Sequence, residues 1–180
     1  VIRAKLLPNG GHYSPRNARY DWLTINHFAD ISGGGVGVTL SNADAYYMKL
    51  GDSTHTTFDT VTPQLNILAG GQVDGATLGI PNQGGDSWFL QRFALRTHDA
   101  FNQTAAMKFS LEHQNPFVTG AVTGIQPVYS DNTYSFLTIS DPDVLLWALK
   151  PAEDGIDNGV ITRVWNQANA ARNYTLSLAP

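Results

Sequence analysis

The sequence predicts an all-β protein, mainly an antiparallel β-sandwich, with one short helix near residues 102–113. Three observations carry that prediction. Charged residues make up only 14% of the chain, against roughly 25% in an ordinary soluble domain. Their place is taken by Gly, Asn, Thr and Ser, which suit strands and turns better than helices. Short β-branched and aromatic runs recur with turn signals between them. A 3.6-residue apolar repeat surfaces convincingly in one stretch.

Taken in order, residues 2–7 already read as a strand. The chain opens on Val1 without a methionine, which reads as the inside of a longer polypeptide. Residues 23–31 suit one half-buried strand. Ser32-Gly33-Gly34-Gly35 interrupts it, and residues 36–40 resume it. Consecutive glycines tolerate positive φ, and with no Gly-Lys-Ser/Thr after them a hairpin connection is favoured over a phosphate loop. Residues 45–50 form an aromatic-rich strand, residues 51–62 a polar loop, and residues 63–69 another strand. Residues 70–87 hold six glycines and read as a long connection. Residues 88–95 read as a buried strand.

Residues 102–113 place Ala105, Ala106, Phe109 and Leu111 at helical spacing, and Pro116 closes the helix. Four short strands follow, at 134–139, 144–150, 160–165 and 174–178. Asp141-Pro142-Asp143 marks one turn between them. Asn158-Gly159, a dipeptide suited to positive φ, marks another. A soft boundary falls near residues 115–124.

At 180 residues the chain suffices for one ordinary domain or two small ones. Net charge is −4 and the basic residues are scattered, which argues against nucleic acid and an anionic membrane surface as partners. No apolar run approaches the roughly 18 residues of a membrane span. Without cysteine there is no disulfide framework, thiolate metal site or cysteine nucleophile.

No complete catalytic set emerges. The five histidines never fall at H-x-H or H-x-x-x-H spacing, so structural roles are expected and no metal ligand is assigned. Glycoside hydrolysis uses two carboxyl groups across the scissile bond. Most of the thirteen aspartates, however, stand beside Gly, Pro, Ser or Asn, where turns account for them. The triad elbow G-x-S-x-G is missing. Aromatic rings remain as possible sugar-stacking faces: Trp22, Trp88, Trp147, Trp165, Tyr46 and Tyr47. Trp147 and Trp165 lie inside strand patterns and read as core.

Several segments together resemble the C-terminal region of family-38 glycoside hydrolases, the α-mannosidases. Residues 148–166 (ALKPAEDGIDNGVITRVWN) are similar to that family's strand–turn–strand motif at about nine ordered positions. Residues 28–40 (FADISGGGVGVTL), 92–98 (RFALRTH) and 113–117 (HQNPF) resemble three further family segments, in the family's order. The resemblance implies that residues 1–116 belong to the large β-sandwich of such an enzyme and residues 117–180 form a small terminal sandwich. It implies a parent that hydrolyses α-mannosides with zinc held in a separate catalytic barrel. Nothing here matches that barrel, so no catalytic residue is carried over. The implied partner is the catalytic domain of the parent polypeptide, with mannosides as a candidate carbohydrate ligand. Residues 40–47 (LSNADAYY) resemble a family loop in which Asn42 and Tyr46 match, whereas Ala43, Ala45 and Tyr47 replace Asp, Lys and Gly. Asn42, Asp44, Tyr46 and Tyr47 are therefore the candidate substrate contacts. In the competing reading Asn42 caps a turn and Tyr46 packs. A free-standing carbohydrate-binding module is the rival to the enzyme-fragment reading.

Overall fold

A computed structural model describes residues 20–68, 88, 90–121 and 133–179. The expected strand at 2–7 and the glycine-rich connection at 70–87 lie outside the described residues. Among those described, the protein is all-β apart from one regular α-helix, with ten strands in four sheets, every pairing antiparallel. The chain clusters into two compact units, residues 1–101 with 109–115, and residues 102–108 with 116–180.

In the first unit, β1 (Leu23–Thr24), β4 (Tyr47–Leu50) and β5 (Leu65–Leu68) make a sheet of order β1-β4-β5. A second sheet, of order β2-β3-β6, holds β2 (Phe28–Gly33), β3 (Val36–Asn42) and β6 (Phe93–His98). The core draws on both. Leu23, Ile25, Ala29 and Met48 are buried, with Leu40, Leu50, Phe58, Leu65 and Ile67 packed against them.

The single strand expected over 23–31 is two strands. Ile25, fully buried, donates its N–H to the carbonyl of Tyr46 at 2.8 Å. The chain then bends and enters the other sheet at Phe28. The glycine hairpin forms as the residues dictate. Gly33 pairs with Val36, leaving Gly34 (φ 62°) and Gly35 (φ 85°) as a two-residue turn with both φ positive, the geometry that matches strand twist.

Alternation gives β2-β3-β6 two unlike faces. Ala29, Ile31, Val36, Val38, Leu40, Phe93 and Leu95 share one. Asp30, Ser32, Thr39, Ser41, Arg96 and His98 share the other. The buried strand expected at 88–95 begins only at Phe93. Trp88 is 93% exposed, and Leu90 and Leu95 are exposed too. β6 is set by pairing with β3, Leu95 against Leu40 and Ala94 against Ser41. Its start is set by Arg92, which is tied to Asp44.

The helix α1 (Gln103–Gln114) lies within a residue of its expected bounds. Asn102 caps it, accepting the N–H of Ala105 on Oδ1 at 2.8 Å. Asn115 closes it through bonds to the Leu111 carbonyl. Its buried positions are Ala106, Met107 and Ser110; of the apolar stripe read in the sequence only Ala106 is fully buried, and Ala105, Phe109 and Leu111 are half-buried.

In the second unit, β7 (Leu137–Ile139) pairs with β10 (Leu176–Leu178), and β8 (Val144–Pro151) with β9 (Val160–Asn166). Asp141 makes the expected turn before β8, accepting the N–H of Asp143 on its own side chain at 2.8 Å. The β8–β9 connection spans residues 152–159 and includes a 3₁₀ turn at Ile156–Asn158, so Asn158-Gly159 closes a longer loop than a two-residue hairpin. Asn166 orders the chain after β9, donating to the Ala170 carbonyl and accepting from the N–H of Ala168. A register irregularity between Leu146 and Ala148 sets Trp147 off the ladder. Trp147 meets Trp165 edge to face at 5.0 Å, yet it is 43% exposed and is not a core residue.

Candidate functional site

The loop joining β3 to β4 carries the four residues singled out by sequence. Asn42 ends β3, fully buried. Its Oδ1 accepts the N–H of Asp44 at 3.1 Å and of Ala45 at 2.6 Å. This is the turn-capping role, and it points the side chain inward. Its Nδ2 has no hydrogen-bond partner among the described residues, a cost that the two bonds to Oδ1 offset.

Asp44 faces Arg92. Oδ1 accepts from Nη2 at 2.8 Å, Oδ2 accepts from Nε at 2.9 Å, and Oδ2 also takes the Arg92 backbone N–H at 2.7 Å. The Ala43 N–H donates to the Arg92 carbonyl at 3.2 Å. These bonds from Arg92, side chain first, hold the Asp44 carboxyl down at about 2. Of the four candidates, Asn42 thus shapes the loop from within and Asp44 fastens it to the segment that enters β6. Tyr46 and Tyr47 are half exposed, at 53% and 44%, and are the pair left with free surface.

The structure also assembles two polar clusters that sequence spacing did not announce. On the polar face of β2-β3-β6, Asp30 Oδ2 accepts from Thr39 Oγ1 at 2.5 Å and faces His98 Nε2 at 2.8 Å, while Ser32 donates to Asp30 Oδ1. His98 Nδ1 lies 3.2 Å from the Asp99 carbonyl. With an acceptor at each ring nitrogen the imidazolium is favoured, and the bond to Asp30 above all raises the His98 pKa. Gly37 lets the ring lie there, because a Cβ would fall 2.6 Å from Ser32 Oγ and 2.9 Å from His98 Nε2. Ser, His and Asp are all present, but in the wrong order. A nucleophilic serine needs the histidine as its base, and here Ser32 bonds to the carboxylate while both ring nitrogens are engaged.

The second cluster seats the C-terminal half of α1. Ser41 Oγ lies 2.9 Å from Ser110 Oγ and 2.9 Å from His113 Nδ1, and Ser110 donates to the His27 carbonyl. Gln114 Nε2 donates to the carbonyls of Asn42 at 2.6 Å and Asn26 at 2.9 Å, and its Oε1 lies 2.8 Å from His27 Nδ1. A Ser–His contact exists here, but both hydroxyls are fully buried and a substrate cannot reach them. The cluster is a docking interface for the helix.

Among the described residues no three His, Asp or Glu side chains gather into a group that could hold a metal ion. What the described surface does offer is apolar area. On β2-β3-β6, Val36, Val38, Phe93 and Leu95 lie open on one face. On β8-β9, Leu146, Trp147, Leu149 and Val160 are exposed. No protein-family model matches the chain, and no curated protein matches it either.

Proposed function

We propose that the chain is a non-catalytic β region of an α-mannosidase-like glycoside hydrolase, packing against the catalytic barrel of its parent and lining part of the sugar cleft through Tyr46 and Tyr47. The observation that carries this reading is the apolar face of β2-β3-β6. Its inner part, Ala29 and Leu40, packs into the core, while Val36, Val38, Phe93 and Leu95 continue the same face into solvent. Contiguous exposed apolar surface is what an interaction site presents, and a two-stranded sheet such as β8-β9 is marginal without a neighbour. The chemistry-bearing groups agree, since Asp30, Asp44, Ser41, Ser110 and His98 are all engaged in holding the fold.

The zinc of the proposed parent finds no donor set among the described residues and would be held by the catalytic part. The four family-like segments supply the choice of enzyme class, and no step of the reaction is assigned to this chain.

The purified 180-residue chain should leave an aryl α-mannoside intact with or without added zinc. Metal-dependent turnover by the chain alone overturns the reading. The denatured mass of the native polypeptide is the companion measurement. A chain several times longer supports the enzyme-fragment reading. One of about this length favours a free-standing carbohydrate-binding module instead, the second reading that the exposed Tyr46–Tyr47 pair supports.

A further inference from the structure

The sheet β1-β4-β5 buries one face and opens a cleft on the other. Leu23 pairs with Met48 and both enter the core. Continuing that register by one residue sets Trp22 beside Lys49, and Lys49 pairs with Asn66. Alternation sends these three away from the core. They line a cleft of about 330 Å³ together with Asp21, Ser53 and Ile67.

Its wall is built in advance. Asp59 accepts the N–H groups of Asp52, Val61 and Thr62, and Ser53 Oγ accepts the Asp59 N–H at 2.9 Å while donating to the Leu50 carbonyl at 2.6 Å. Gly51, at φ +48°, lets the Asp59 carboxylate approach the chain closely. The groups that face the cleft keep capacity to spare. The Asn66 amide donates once, to the Gly51 carbonyl at 3.1 Å, and accepts once, from Gln64 at 2.7 Å, which leaves one donor and one acceptor position. The Lys49 ammonium has no ion-pair partner among the described residues.

We propose that this cleft is a subsite for a single pyranose ring. An indole face matches the apolar C–H face of a pyranose, while an ammonium and an amide supply donors and an acceptor for ring hydroxyls. The volume sits at the lower end of the roughly 300–1,000 Å³ of small-ligand clefts, so it takes one ring and not an extended chain. The ligand class rests on the carbohydrate reading above. The site is separate from the Asn42–Tyr47 loop and lies outside the segments that resemble the mannosidases at 28–40, 92–98, 113–117 and 148–166.

The test is a titration of the whole chain with methyl α-D-mannopyranoside into the tens of millimolar, with glycerol as a hydroxylated control lacking a ring. The four tryptophan indole N–H signals are followed by NMR. The Trp22 signal should shift saturably with a millimolar Kd. Trp22→Leu and Lys49→Met should each weaken binding about tenfold, equivalent to about 1.4 kcal/mol. Lys49→Met keeps the aliphatic stem and secures the test if the tryptophan variant fails to fold. A linear response, the same shifts with glycerol, or unchanged affinity in Lys49→Met overturns the subsite. Those outcomes leave the turnover and mass measurements untouched, so a failed subsite and a failed enzyme-fragment reading are distinguishable.

Discussion

Replacing Ser110 with alanine tests whether the serine–histidine cluster under α1 is structural. Ser110 is fully buried, donates to the His27 carbonyl, and lies 2.9 Å from Ser41 Oγ. Without the hydroxyl, the His27 carbonyl loses the Ser110 donor and retains the long 3.3 Å bond from the Asn42 N–H, and Ser41 loses one of its two hydroxyl contacts. Leaving such buried groups short of a partner costs about 1–3 kcal/mol. Alanine returns about 0.5 kcal/mol through its better helix propensity, for a net loss of about 1–2 kcal/mol. At a urea dependence of about 2 kcal/mol/M, the midpoint of the first unit should fall by about 0.5–1 M. The measurement is urea unfolding followed by circular dichroism and by histidine signals in NMR. Combining Ser110→Ala with Ser41→Ala should give a coupling of about 0.5–3 kcal/mol, as expected for residues in one network. An unchanged midpoint, or strict additivity of the two changes, refutes the claim that this polar face docks the helix.

Three further outcomes follow from the same geometry. Gly37→Ala should push the His98 ring off Asp30, because the new methyl would overlap both His98 and Ser32; the His98 pKa, read by NMR titration, should fall toward the ordinary value near 6.5, and an unaltered titration counts against the packing described. The pH dependence has two arms. Because the His98 pKa is raised by its bond to Asp30, its contribution is complete below about pH 6.5 and is lost as pH rises through the raised value; because Asp44 is lowered to about 2 from 3.8, its contribution is complete above about pH 4 and is lost as pH falls toward 2, so the stability gap between Asp44→Asn and the parent chain should close over that acid range. Met48→Ala, at a position only 2% exposed in the core, should cost about 2–5 kcal/mol by urea unfolding, and a loss below 1 kcal/mol would mean that the two sheets of the first unit do not pack as described.

The parts of the fold that were legible in the sequence are those specified locally. The β2–β3 hairpin follows from β-branched runs on either side of glycines that accept positive φ. The Asp141 turn and the Asn102 cap follow from side chains that bond to their own backbone. The helix was legible in extent but only in part in its facing: Ala106 is buried as read, but the inner stripe also takes in Ser110, His113 and Gln114, which apolar periodicity discounts. The strand at 88–95 was displaced to Phe93–His98 by pairing with β3, and the run 23–31 was broken by the crossing from one sheet to the other. In the candidate loop, the turn role of Asn42 was readable from its neighbours. The Asp44–Arg92 and Asp30–His98 pairs were not, since their partners are 48 and 68 residues apart in the chain and only the folded sheet brings them together.

The turn at Gly34-Gly35 has a consequence for how this sequence can vary. It sets the phase of everything after it in β3. A slip of β3 by one residue against β2 would turn Thr39 and Ser41 toward the core and Leu40 away from it. The helix would lose its Ser41 partner and the core would gain hydroxyls without acceptors. Length changes at this turn are therefore open to drift where a longer loop absorbs them, and barred where they move the register of β3.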